Sequence, residues 1–347
     1  MDNPIRAAII GATGYTGSEL VRLLLLHPGV EIAAITSESY AGQPFSAVHP
    51  QFAGLADHTL ISLENLDTES IDVAFLALPH GVSMDFVKRF QSAEFKIIDL
   101  SGDFRLESAE AYEAWYGKKH AIPNLISEAA FGLPEWNRET ISKARLVANP
   151  GCYPTASSLP LAPLVAEDLL EEDTIIVDAK SGVTGAGAKP KPTTHFPDVF
   201  GDFRAYGLLK HRHTPEISET LGRAAGRNVN VLFTPHLLPI DRGILATTYS
   251  KPKPGVTLED ITKAMEKHYA NAPFIRLCPD RVPGVKQVRG SNYCDIFWTY
   301  DDRTHTVVTV SVIDNLVKGA AGQAVHNLNL MFGLPEKSGL QGLPLAP

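Results

Sequence analysis

Residues 6–17 read RAAIIGATGYTG, and this stretch predicts the fold of the first half of the chain. RAAII (6–10) is a short apolar run typical of a buried strand, and SELVRLLLL (18–26) has the apolar spacing of an amphipathic helix. Between them lies GATGYTG (11–17), whose glycines permit a tight turn and a close approach of a pyrophosphate to the N–H groups of a helix N-terminus. We therefore expect a dinucleotide-binding strand–loop–helix unit; the alternative is a glycine-rich turn that binds nothing.

Further apolar runs continue this alternation up to residue 150. Strands that alternate with helical crossovers form a parallel, doubly wound sheet, so the sequence predicts a Rossmann-type α/β domain over residues 1–150. The predicted strands lie at 6–10, 31–36, 71–78, 96–100 and 144–148.

The pattern changes after residue 150, where the strands become longer and fewer helices separate them. This arrangement favours an α+β domain with an antiparallel or mixed sheet over residues 151–313. Its clearest helix is 258–269, where Thr257 and Asp260 have the spacing of a capping box. The predicted strands lie at 174–178, 229–233, 243–250, 295–300 and 305–314.

The final segment, 314–347, begins with a predicted helix at about 316–331. This helix carries small residues at 319–322 and at Ala324, which allow another part of the chain to approach closely. Residues 339–347 are expected to form a loose tail.

Composition excludes several classes of protein. The chain has 347 residues, 31 Lys and Arg against 39 Asp and Glu, and a net charge of −8, which disfavours a nucleic-acid partner because phosphate binding needs a basic face. The sequence begins with no basic segment followed by an apolar one, and its apolar runs are too short to span a membrane. The three cysteines are far apart and form no CxxC motif, so we expect free thiols in a reducing cytosol.

The end of the second predicted strand bears on the choice of dinucleotide. In NAD-binding units an acidic residue at this place accepts a hydrogen bond from the ribose 2′-OH. Here the chain carries Ser37, Glu38 and Ser39. The serines suit a 2′-phosphate and Glu38 suits the hydroxyl, so the residues leave both dinucleotides open, and we expect NADP.

NPGCYPT (149–155) places one of the three cysteines next to residues that constrain the backbone. Pro154 suits an early helical position, so Cys152 is expected on a strand-to-helix bend near a helix N-terminus. Such a position favours the reactive thiolate. The alternative is a small buried core residue, which is the usual role of a free cysteine.

The segment HRHTPE, beginning at His211, supplies imidazoles that would activate such a thiol. If the chain is extended here, His211 and His213 point to one side, with Thr214 as N-cap and Pro215 as the first helical residue. Glu216 would then orient one imidazole. The alternatives are a zinc site, which lacks a clear third ligand, and a basic surface loop.

Two further loops carry groups suited to anions. SGVTGAGAK (181–189) is glycine-rich and follows a strand, as a phosphate or cofactor loop would, although a mobile hinge explains it equally well. SGDFR (101–105) also follows a strand, where ligands of open α/β sheets bind, and Arg105 suits a carboxylate or phosphate. The alternative for Arg105 is a surface position.

Seven motifs, in order over nearly the whole chain, resemble those of the N-acetyl-γ-glutamyl-phosphate reductases, enzymes of arginine biosynthesis. As a set they are highly specific. One departure is Gly102, where alanine is expected, and this small-for-small change puts little in doubt. The motifs are GATGYTG (11–17), LALPHG (76–81), DLSGDFR (99–105), NPGCYPT (149–155), SGVTGAGAK (181–189), HRHTPEI (211–217) and DNLVKGAAGQAV (314–325).

The resemblance implies a reductive dephosphorylation. The Cys152 thiolate would attack N-acetyl-glutamyl 5-phosphate and release phosphate, NADPH would reduce the resulting thioester, and N-acetyl-glutamate 5-semialdehyde would leave. It also implies that His211 is the acid/base and Glu216 its orienting group, with no metal ion in the site. The residues expected to contact the substrate are Arg105, Asn149 and His213.

The resemblance further implies a Rossmann-type NADP domain, a second domain for catalysis and subunit contacts, and a final helix that returns to the first domain. The expected assembly is a homodimer or homotetramer. Six residues would hold the pyrophosphate, two serines the adenosine-ribose phosphate, and six more residues the remaining cofactor. In that order they are Gly11, Thr13, Gly14, Tyr15, Thr16 and Gly17; Ser37 and Ser39; and Pro79, Gly81, Ser181, Gly182, Gly185 and Asn315.

Three alternatives to this function remain. The nearest is a related acyl-phosphate reductase, such as an aspartate-semialdehyde dehydrogenase or a lysine-pathway homologue, although HRHTPEI and SGVTGAGAK argue against the aspartate enzyme. A cysteine hydrolase using Cys152 and His211 would leave the dinucleotide loop unexplained. A nucleotide-responsive binding protein without turnover would lose nothing measurable in a Cys152→Ser variant.

Overall fold

The computed structural model describes residues 3–171 and 173–345 of the chain. Outside them lie the first two residues of the predicted first domain, one residue of the second and the last two of the predicted tail. Within the described residues, no helix is long and apolar enough to cross a membrane.

The described chain forms two compact units. One contains the chain up to Pro150 together with Ala320–Gln341, and the other contains Gly151–Gly319 and the residues from Gly342 onward. The predicted return of the last helix to the first part of the chain is therefore confirmed.

The first unit is built on a sheet of six strands, all paired in parallel. Its strands are β1 (Ile5–Ile10), β2 (Val30–Thr36), β3 (Val73–Leu76), β4 (Lys96–Asp99), β5 (Ala130–Phe131) and β6 (Leu146–Ala148). The helices between them are α1 (Tyr15–Leu24), α2 (Phe45–Val48), α3 (Ser83–Arg89), α4 (Ala109–Tyr116) and α5 (Pro134–Lys143).

The strand order in this sheet is β2-β1-β3-β4-β6-β5, so the order reverses at β1. The loop that follows β1 therefore opens at a topological switch point, which is where ligands of open α/β sheets bind. All four residues of β3 are buried, as expected for a parallel strand covered on both faces. The predicted doubly wound α/β architecture is confirmed, and its glycine loop lies at the switch point.

The second unit is built on a seven-stranded sheet with the order β11-β12-β13-β10-β7-β9-β8. Its strands are β7 (Ile175–Ser181), β8 (Arg204–Ala205), β9 (Val231–Leu237), β10 (Ile244–Ser250), β11 (Ile275–Leu277), β12 (Cys294–Asp301) and β13 (Thr306–Ile313). Its helices are α6 (Cys152–Ala166), α7 (Phe196–Val199), α8 (His213–Ala225) and α9 (Leu258–Tyr269).

This second sheet is mixed, as predicted. β7 pairs with β9 and β11 pairs with β12 in parallel, while the remaining pairs are antiparallel. Helix α6 lies in the core of the unit, because every residue from Tyr153 to Val165 is buried. A helix that is apolar on all sides is a core helix, so the position of its first residue, Cys152, is fixed by the packing of the whole unit.

Helix boundaries were predicted unevenly. α9 spans the predicted residues, and Thr257 and Asp260 form the expected capping box. α1 begins earlier than predicted and ends at Leu24, because the chain turns into the helix at Gly14 and Leu26 is exposed. The short strands β5, β8 and β11 were not predicted. Short 3-10 turns lie at Pro50–Phe52, Leu63–Asn65, Thr68–Ser70, Pro123–Leu125, Val183–Ala186, Pro192–Thr194 and Val285–Gln287.

The last helix is not uniform. Val317–Ala321 forms a π-helical turn, and α10 (Gly322–Met331) continues it as an α-helix. Single π-turns within helices are frequently found at functional sites. The predicted loose tail is anchored in part, because Leu340 is buried and the Leu345 N–H donates to the Arg289 carbonyl.

His27 attaches the returning segment to the first unit. Its Nδ1 accepts a hydrogen bond from the Gly29 N–H at 3.1 Å, so its Nε2 carries the proton and donates to Asn329 Oδ1 at 2.9 Å. The Asn329 amide in turn donates to the Glu336 and Ser338 carbonyls. Burial lowers the pKa of His27, although the Asn329 contact opposes this. The folded chain therefore favours the neutral ring.

This geometry predicts a pH dependence of stability. As the pH falls below about 6.5, the unfolded chain binds a proton at His27 that the folded chain does not, so the free energy of unfolding decreases until the lowered folded pKa is reached. A His27→Gln variant keeps an amide donor for Asn329 and removes the titration. Urea unfolding between pH 7.5 and 5.5 should show a shallower loss for the variant, by up to about 1.4 kcal/mol per pH unit. Equal slopes would contradict the assignment.

Candidate active site

The glycines of the first loop have distinct steric roles. Gly11 has φ +86°, and a Cβ there would lie 2.7 Å from the Ala77 carbonyl oxygen. A Cβ at Gly17 would lie 2.6 Å from Ala12 Cα, so the first turn of α1 packs on the loop itself. At Gly14, by contrast, no described atom lies within 4 Å of the added carbon. The loop therefore leaves open space at the N-cap of α1, where a pyrophosphate would be favoured by the helix N-terminus.

The loop is held against the end of β2. The N–H of Gly11 donates to Thr36 Oγ1 at 3.2 Å, and Thr13 Oγ1 lies 3.4 Å from Ser37 Oγ. The next two predicted contacts, Tyr15 and Thr16, are the first residues of α1. The sequence-predicted pyrophosphate residues are thus brought together.

Ser37 and Ser39 differ in environment, because Ser37 is buried and Ser39 is exposed. The carboxylate of Glu38 accepts a hydrogen bond from the Leu63 N–H at 2.9 Å. Glu38 is therefore engaged by the chain's own backbone. The two serines are the residues at the end of β2 that suit a 2′-phosphate.

A buried carboxylate that the sequence reasoning missed shapes the loop after β3. Asp103 accepts hydrogen bonds from the N–H groups of Gly81 and Met84, at 2.8 and 3.0 Å, and from the Tyr112 hydroxyl at 2.9 Å. Gly81 has φ +82°, which suits only glycine without strain. Asp103 thus fixes the turn that carries the predicted cofactor residues Pro79 and Gly81. Its signal was its place in DLSGDFR, where only Arg105 was singled out.

Burial and the nearby Asp103 carboxylate raise the pKa of Asp99 to about 6. Asp99 is fully buried at the end of β4 and accepts hydrogen bonds from both the N–H and the hydroxyl of Ser101. The two carboxyl groups belong to one internal network of the first unit.

Gly102 has little free space on the side where a Cβ would lie. A Cβ at this position would lie 2.1 Å from the Tyr116 hydroxyl oxygen, so alanine would displace the Tyr116 ring. The Gly102 N–H also donates to Nδ1 of His80 at 2.7 Å. The one departure from the family motifs therefore leaves room for the Tyr116 hydroxyl, and it does not affect the family assignment.

Arg105 and Asn149 are buried and engaged within the first unit. Arg105 donates from Nε to the Asn149 carbonyl at 2.8 Å and from Nη2 to the Leu100 carbonyl at 2.7 Å. The side chain of Asn149 donates to the Ala320 carbonyl and accepts from Asn327. Arg105 is not a surface arginine, and both residues have a structural role besides the predicted contact with substrate.

Cys152 is the first residue of α6, with Gly151 as its N-cap, so its predicted place at a helix N-terminus is confirmed. The residue is half-buried, whereas Cys278 and Cys294 are buried, and none of these three cysteines is in a disulfide. A Cβ at Gly319, in the π-turn, would lie 2.7 Å from Cys152 Cβ. The absence of a side chain at Gly319 therefore makes room for Cys152.

Glu216 is fully buried, and its Oε1 accepts a hydrogen bond from the Gly151 N–H at 2.7 Å. This bond joins the first turn of α8 to the first turn of α6. Glu216 therefore orients the backbone that carries Cys152, in addition to any effect on an imidazole.

His211 lies in a cluster of aromatic rings. Its ring centroid is 5.6 Å from that of Tyr153, 5.5 Å from Tyr206 and 5.4 Å from Phe233, each in an edge-on arrangement. The Tyr206 hydroxyl donates to the Tyr153 hydroxyl, which donates to a backbone carbonyl of β9. These three rings were not predicted as part of the site.

Electrostatics connect this cluster to the cysteine. Burial raises the pKa of Tyr153 and Tyr206, and the negative charge of a Cys152 thiolate acts in the same direction on both, so that the pKa of Tyr206 is about 12. Burial, together with the Arg212 guanidinium, lowers the pKa of His211 to about 4. The thiol, the two phenols and the imidazole thus form one site in the second unit.

The approach to α8 differs from the expectation. The helix begins at His213 and its N-cap is Arg212, so the predictions of an extended approach and of Thr214 as N-cap are wrong. The reason is local: the His213 N–H donates to Nδ1 of His211 at 3.2 Å, and the Thr214 N–H donates to the His211 carbonyl. These bonds turn the chain into the helix early. His213 is buried, with its ring 4.9 Å from that of His211.

The glycine-rich loop after β7 is fixed by Asn315. The Asn315 side chain accepts from the Gly243 N–H at 2.7 Å and donates to Thr184 Oγ1 at 2.9 Å. A Cβ at Gly182 would lie 2.7 Å from a backbone oxygen, and one at Gly185 would lie 3.3 Å from the buried Ser181 hydroxyl. The four predicted cofactor residues of the second unit, Ser181, Gly182, Gly185 and Asn315, are therefore neighbours.

The zinc alternative finds no geometric support. Within residues 3–171 and 173–345, no three His, Cys, Asp or Glu side chains are placed to hold a metal ion. The chemistry available at this site is that of a thiol beside buried phenols and an imidazole.

Two family models match the chain and define its class. Residues 6–144 match the NAD binding domain of semialdehyde dehydrogenases, and residues 152–315 match the semialdehyde dehydrogenase dimerisation domain. Among solved structures, aspartate semialdehyde dehydrogenase II from Vibrio cholerae is 18% identical with a TM-score of 0.75, covering 95% of this chain and 99% of that one. Aspartate semialdehyde dehydrogenase with NADP from Candida albicans is 18% identical with a TM-score of 0.72, at the same coverage. At this identity the structures establish the fold.

Sequence relatives are more specific. The N-acetyl-gamma-glutamyl-phosphate reductase of Syntrophobacter fumaroxidans is 50% identical over 99% of this chain and 100% of its own length. That of Symbiobacterium thermophilum is 51% identical over 97% of each chain. The chain belongs to the N-acetyl-γ-glutamyl-phosphate reductase family, which confirms the family predicted from its motifs.

Two glycine variants should separate the steric roles in the dinucleotide loop. Gly17→Ala forces a backbone clash and should lower the free energy of unfolding by about 1–3 kcal/mol. Gly14→Ala meets open space and should cost less than about 1 kcal/mol, yet weaken NADPH binding by about tenfold or more, because its methyl group occupies the space left for the pyrophosphate. Urea unfolding and NADPH fluorescence titration measure the two effects. Unchanged NADPH affinity in Gly14→Ala would contradict the assignment.

Proposed function

We propose that this protein catalyses the NADPH-dependent conversion of N-acetyl-glutamyl 5-phosphate into N-acetyl-glutamate 5-semialdehyde and phosphate, a step of arginine biosynthesis. The observation that carries the proposal is the position of Cys152, a half-buried cysteine outside any disulfide, at a helix N-terminus beside the His211 cluster. The names of the family members identify the acyl phosphate as the substrate.

Residues of the first unit fit the dinucleotide. The open space at Gly14 and the N-terminus of α1 suit the pyrophosphate, while Ser37 and Ser39 suit a 2′-phosphate because Glu38 is occupied by the Leu63 N–H. The NADP of the Candida albicans structure supports the same choice. NADPH, when bound, supplies a hydride to the acyl carbon. We assign residues 1–150 as the NADP domain, with Pro79, Gly81, Ser181, Gly182, Gly185 and Asn315 completing the cofactor contacts.

The chain's own residues carry the covalent step. The Cys152 thiolate attacks the acyl carbon, a C–S bond forms, and the C–O bond to phosphate breaks with its electron pair leaving on phosphate. The N-terminus of α6 favours the thiolate, and the Glu216 bond to Gly151 holds that N-terminus in place. His211 is the acid/base at the reacting oxygen, while His213, Arg105 and Asn149 contact the substrate.

The proposal is tested by running the reaction backwards, because the semialdehyde is more durable than the acyl phosphate. Protein, N-acetyl-glutamate 5-semialdehyde, phosphate and NADP should give phosphate-dependent NADPH absorbance, and NAD should serve poorly. Cys152→Ser should lose about a thousandfold or more in rate and still bind NADPH.

Two controls sharpen the assay. Cys278→Ser removes a buried thiol outside the site and should keep the rate. Turnover with aspartate semialdehyde in place of the acetylated substrate would assign the protein a related acyl-phosphate chemistry. Absence of turnover with every aldehyde, despite NADPH binding, would overturn the enzyme proposal.

We also propose that residues 151–313 form the subunit contact of a homodimer or homotetramer in the cytosol. Helix α6 packs on the seven-stranded sheet. Along β7 and β10, buried side chains alternate with more exposed ones, and some of the exposed ones form an apolar row. Leu232, Ile176 and Tyr249 are paired in register on β9, β7 and β10, and each is exposed by 39–48%. The matching family model describes a dimerisation domain, which supports a second copy as the occupant of this row.

Acidic substitutions in this row of exposed apolar side chains test the proposed subunit contact. An Ile176→Asp, Leu232→Asp double variant should dissociate the oligomer at micromolar concentration, as measured by sedimentation velocity, because burying two unpaired carboxylates is unfavourable. Phe196→Asp is a matched control, since Phe196 is 73% exposed on the separate helix α7. A monomeric wild type, or dissociation by the control alone, would overturn the proposed contact.

A further inference from the structure

The π-turn Val317–Ala321 lies against the residue that carries the reactive thiol. A Cβ at Gly319 would lie 2.7 Å from the Cβ of Cys152, 3.1 Å from its Cα and 3.2 Å from Cδ1 of Ile313, the last residue of β13. Gly319 therefore fits between Cys152 and the end of the strand because it has no side chain. The residues on both sides of Gly319 carry a Cβ, so the register of the turn decides whether Cys152 has room.

The register of this turn is set by a hydrogen bond to Asp314. The Gly319 N–H donates to the Asp314 carbonyl at 3.0 Å, and this span of five residues is that of a π-helix. In an α-helical register the same N–H would bond to the carbonyl four residues earlier. Gly319 would then be rotated by about 100° relative to the residues before the turn, because an α-helix has 3.6 residues per turn. The extra residue of the π-turn is therefore what places the glycine against Cys152.

The side chain of Asp314 holds the start of the same turn. It is fully buried, and its Oδ1 accepts hydrogen bonds from the N–H groups of Leu316 at 2.8 Å and Val317 at 3.2 Å. Its Oδ2 accepts from the Gly290 N–H at 2.7 Å and lies 3.5 Å from Nη1 of Arg242. The first N–H groups of a helical turn have no carbonyl partner within the turn, and here the carboxylate supplies the acceptor.

Asp314 thus acts on the turn through two groups. Its carboxylate binds the N–H groups that open the turn, and its own carbonyl accepts the N–H of Gly319. Removing the carboxylate would take the acceptor from two buried N–H groups, which destabilises this register relative to others. The contact between Gly319 and Cys152 therefore depends on a side chain that has no step of its own in the proposed mechanism.

We propose that Asp314 is a positioning residue for Cys152. By holding the π-turn in register, it keeps Gly319 against Cys152 and so keeps the sulfur at the N-terminus of α6. The assignment rests on the proposed function in one respect, that Cys152 is the nucleophile. A displaced Cys152 would leave the positive end of α6, where the thiolate is favoured, and would be misaligned for attack on the acyl carbon.

Alkylation of Cys152 by iodoacetamide reports on its surroundings without turnover. The rate is measured from pH 6 to pH 10 by mass spectrometry of the peptide that contains Cys152, and the midpoint of the profile is the pKa of the thiol. In Asp314→Ala the midpoint should move up by about half a pH unit or more, so the rate at pH 7 should fall about threefold or more. Asp314→Asn should lie between, because its amide supplies one acceptor oxygen in place of two. An unchanged midpoint in Asp314→Ala would overturn the proposal.

A second buried aspartate of the same unit is the matched control. Asp295 is also fully buried, and its carboxylate accepts hydrogen bonds from Arg276 and Arg281 and none from the π-turn. Asp295→Ala should therefore leave the midpoint of Cys152 alkylation unchanged. A midpoint that moves equally in both variants would reflect a general loss of stability and would also overturn the proposal. Thermal unfolding shows which variants are folded, and Asp314→Asn keeps the test valid if Asp314→Ala is not.

Gly319→Ala tests the contact directly, because the added methyl group meets Cys152 while the side-chain bonds of Asp314 stay in place. NADPH formation from the semialdehyde, NADP and phosphate should fall about tenfold or more in Gly319→Ala and in Asp314→Asn. Since both substitutions act on one contact, the double variant should lose less than the product of the two single losses. Gly284→Ala is the control, because a Cβ there meets no described atom within 4 Å, and it should keep the rate. Losses that multiply would overturn the proposal.

The two readouts separate this proposal from the proposed function. If the wild type gives no turnover with any aldehyde but the alkylation midpoint moves in the Asp314 variants, the proposed function is contradicted and the positioning of Cys152 is supported. If the wild type turns over and the midpoint does not move, only the role of Asp314 is contradicted.

Discussion

The hydrogen bond from the Gly151 N–H to the Glu216 carboxylate fixes the site of the second unit. It joins the first turns of α6 and α8, which carry Cys152 and follow His211 respectively. The carboxylate is fully buried, and removing a partner from a buried charged group costs several kcal/mol, so the two helix starts are strongly coupled. Cys152 directly follows Gly151, so its position depends on this bond, whereas His211 lies one helical turn or more before Glu216 and is held through the start of α8.

The first unit has the same kind of contact, between a buried carboxylate and backbone N–H groups, at the start of a different helix. The buried Asp103 carboxylate accepts from Gly81 and Met84 at the start of α3, much as Glu216 accepts at the start of α6. In each unit an acidic side chain from a neighbouring segment occupies a helix N-terminus, where its charge is favoured. In each case the carboxylate that is held by backbone N–H groups shapes the turn that it bonds.

Much of this structure could be predicted from residues that are neighbours in the sequence. The strand and glycine loop at 6–17, the placement of Cys152 at a helix N-terminus and the capping box of α9 all follow from neighbouring residues, and the structure confirms them. The cluster around His211 does not, because Tyr153 and Tyr206 meet across 53 residues and carry no periodicity that links them. The start of α8 was also predicted wrongly, since the donor that sets it is a backbone N–H that bonds to a side chain two residues earlier.

The contact between Gly319 and Cys152 has a consequence for how the second unit joins the chain. Gly151–Gly319 is one continuous segment, and its two ends touch, since a Cβ at Gly319 would lie 2.7 Å from that of Cys152. Adjacent ends are the geometry of an inserted domain, which a single rearrangement of the gene is able to exchange without lengthening either connection. Cys152 lies at one end of this segment, in the second unit, whereas the glycine loop at 11–17 lies in the first unit. An exchange of this kind would move Cys152 with its own unit and leave the glycine loop unchanged.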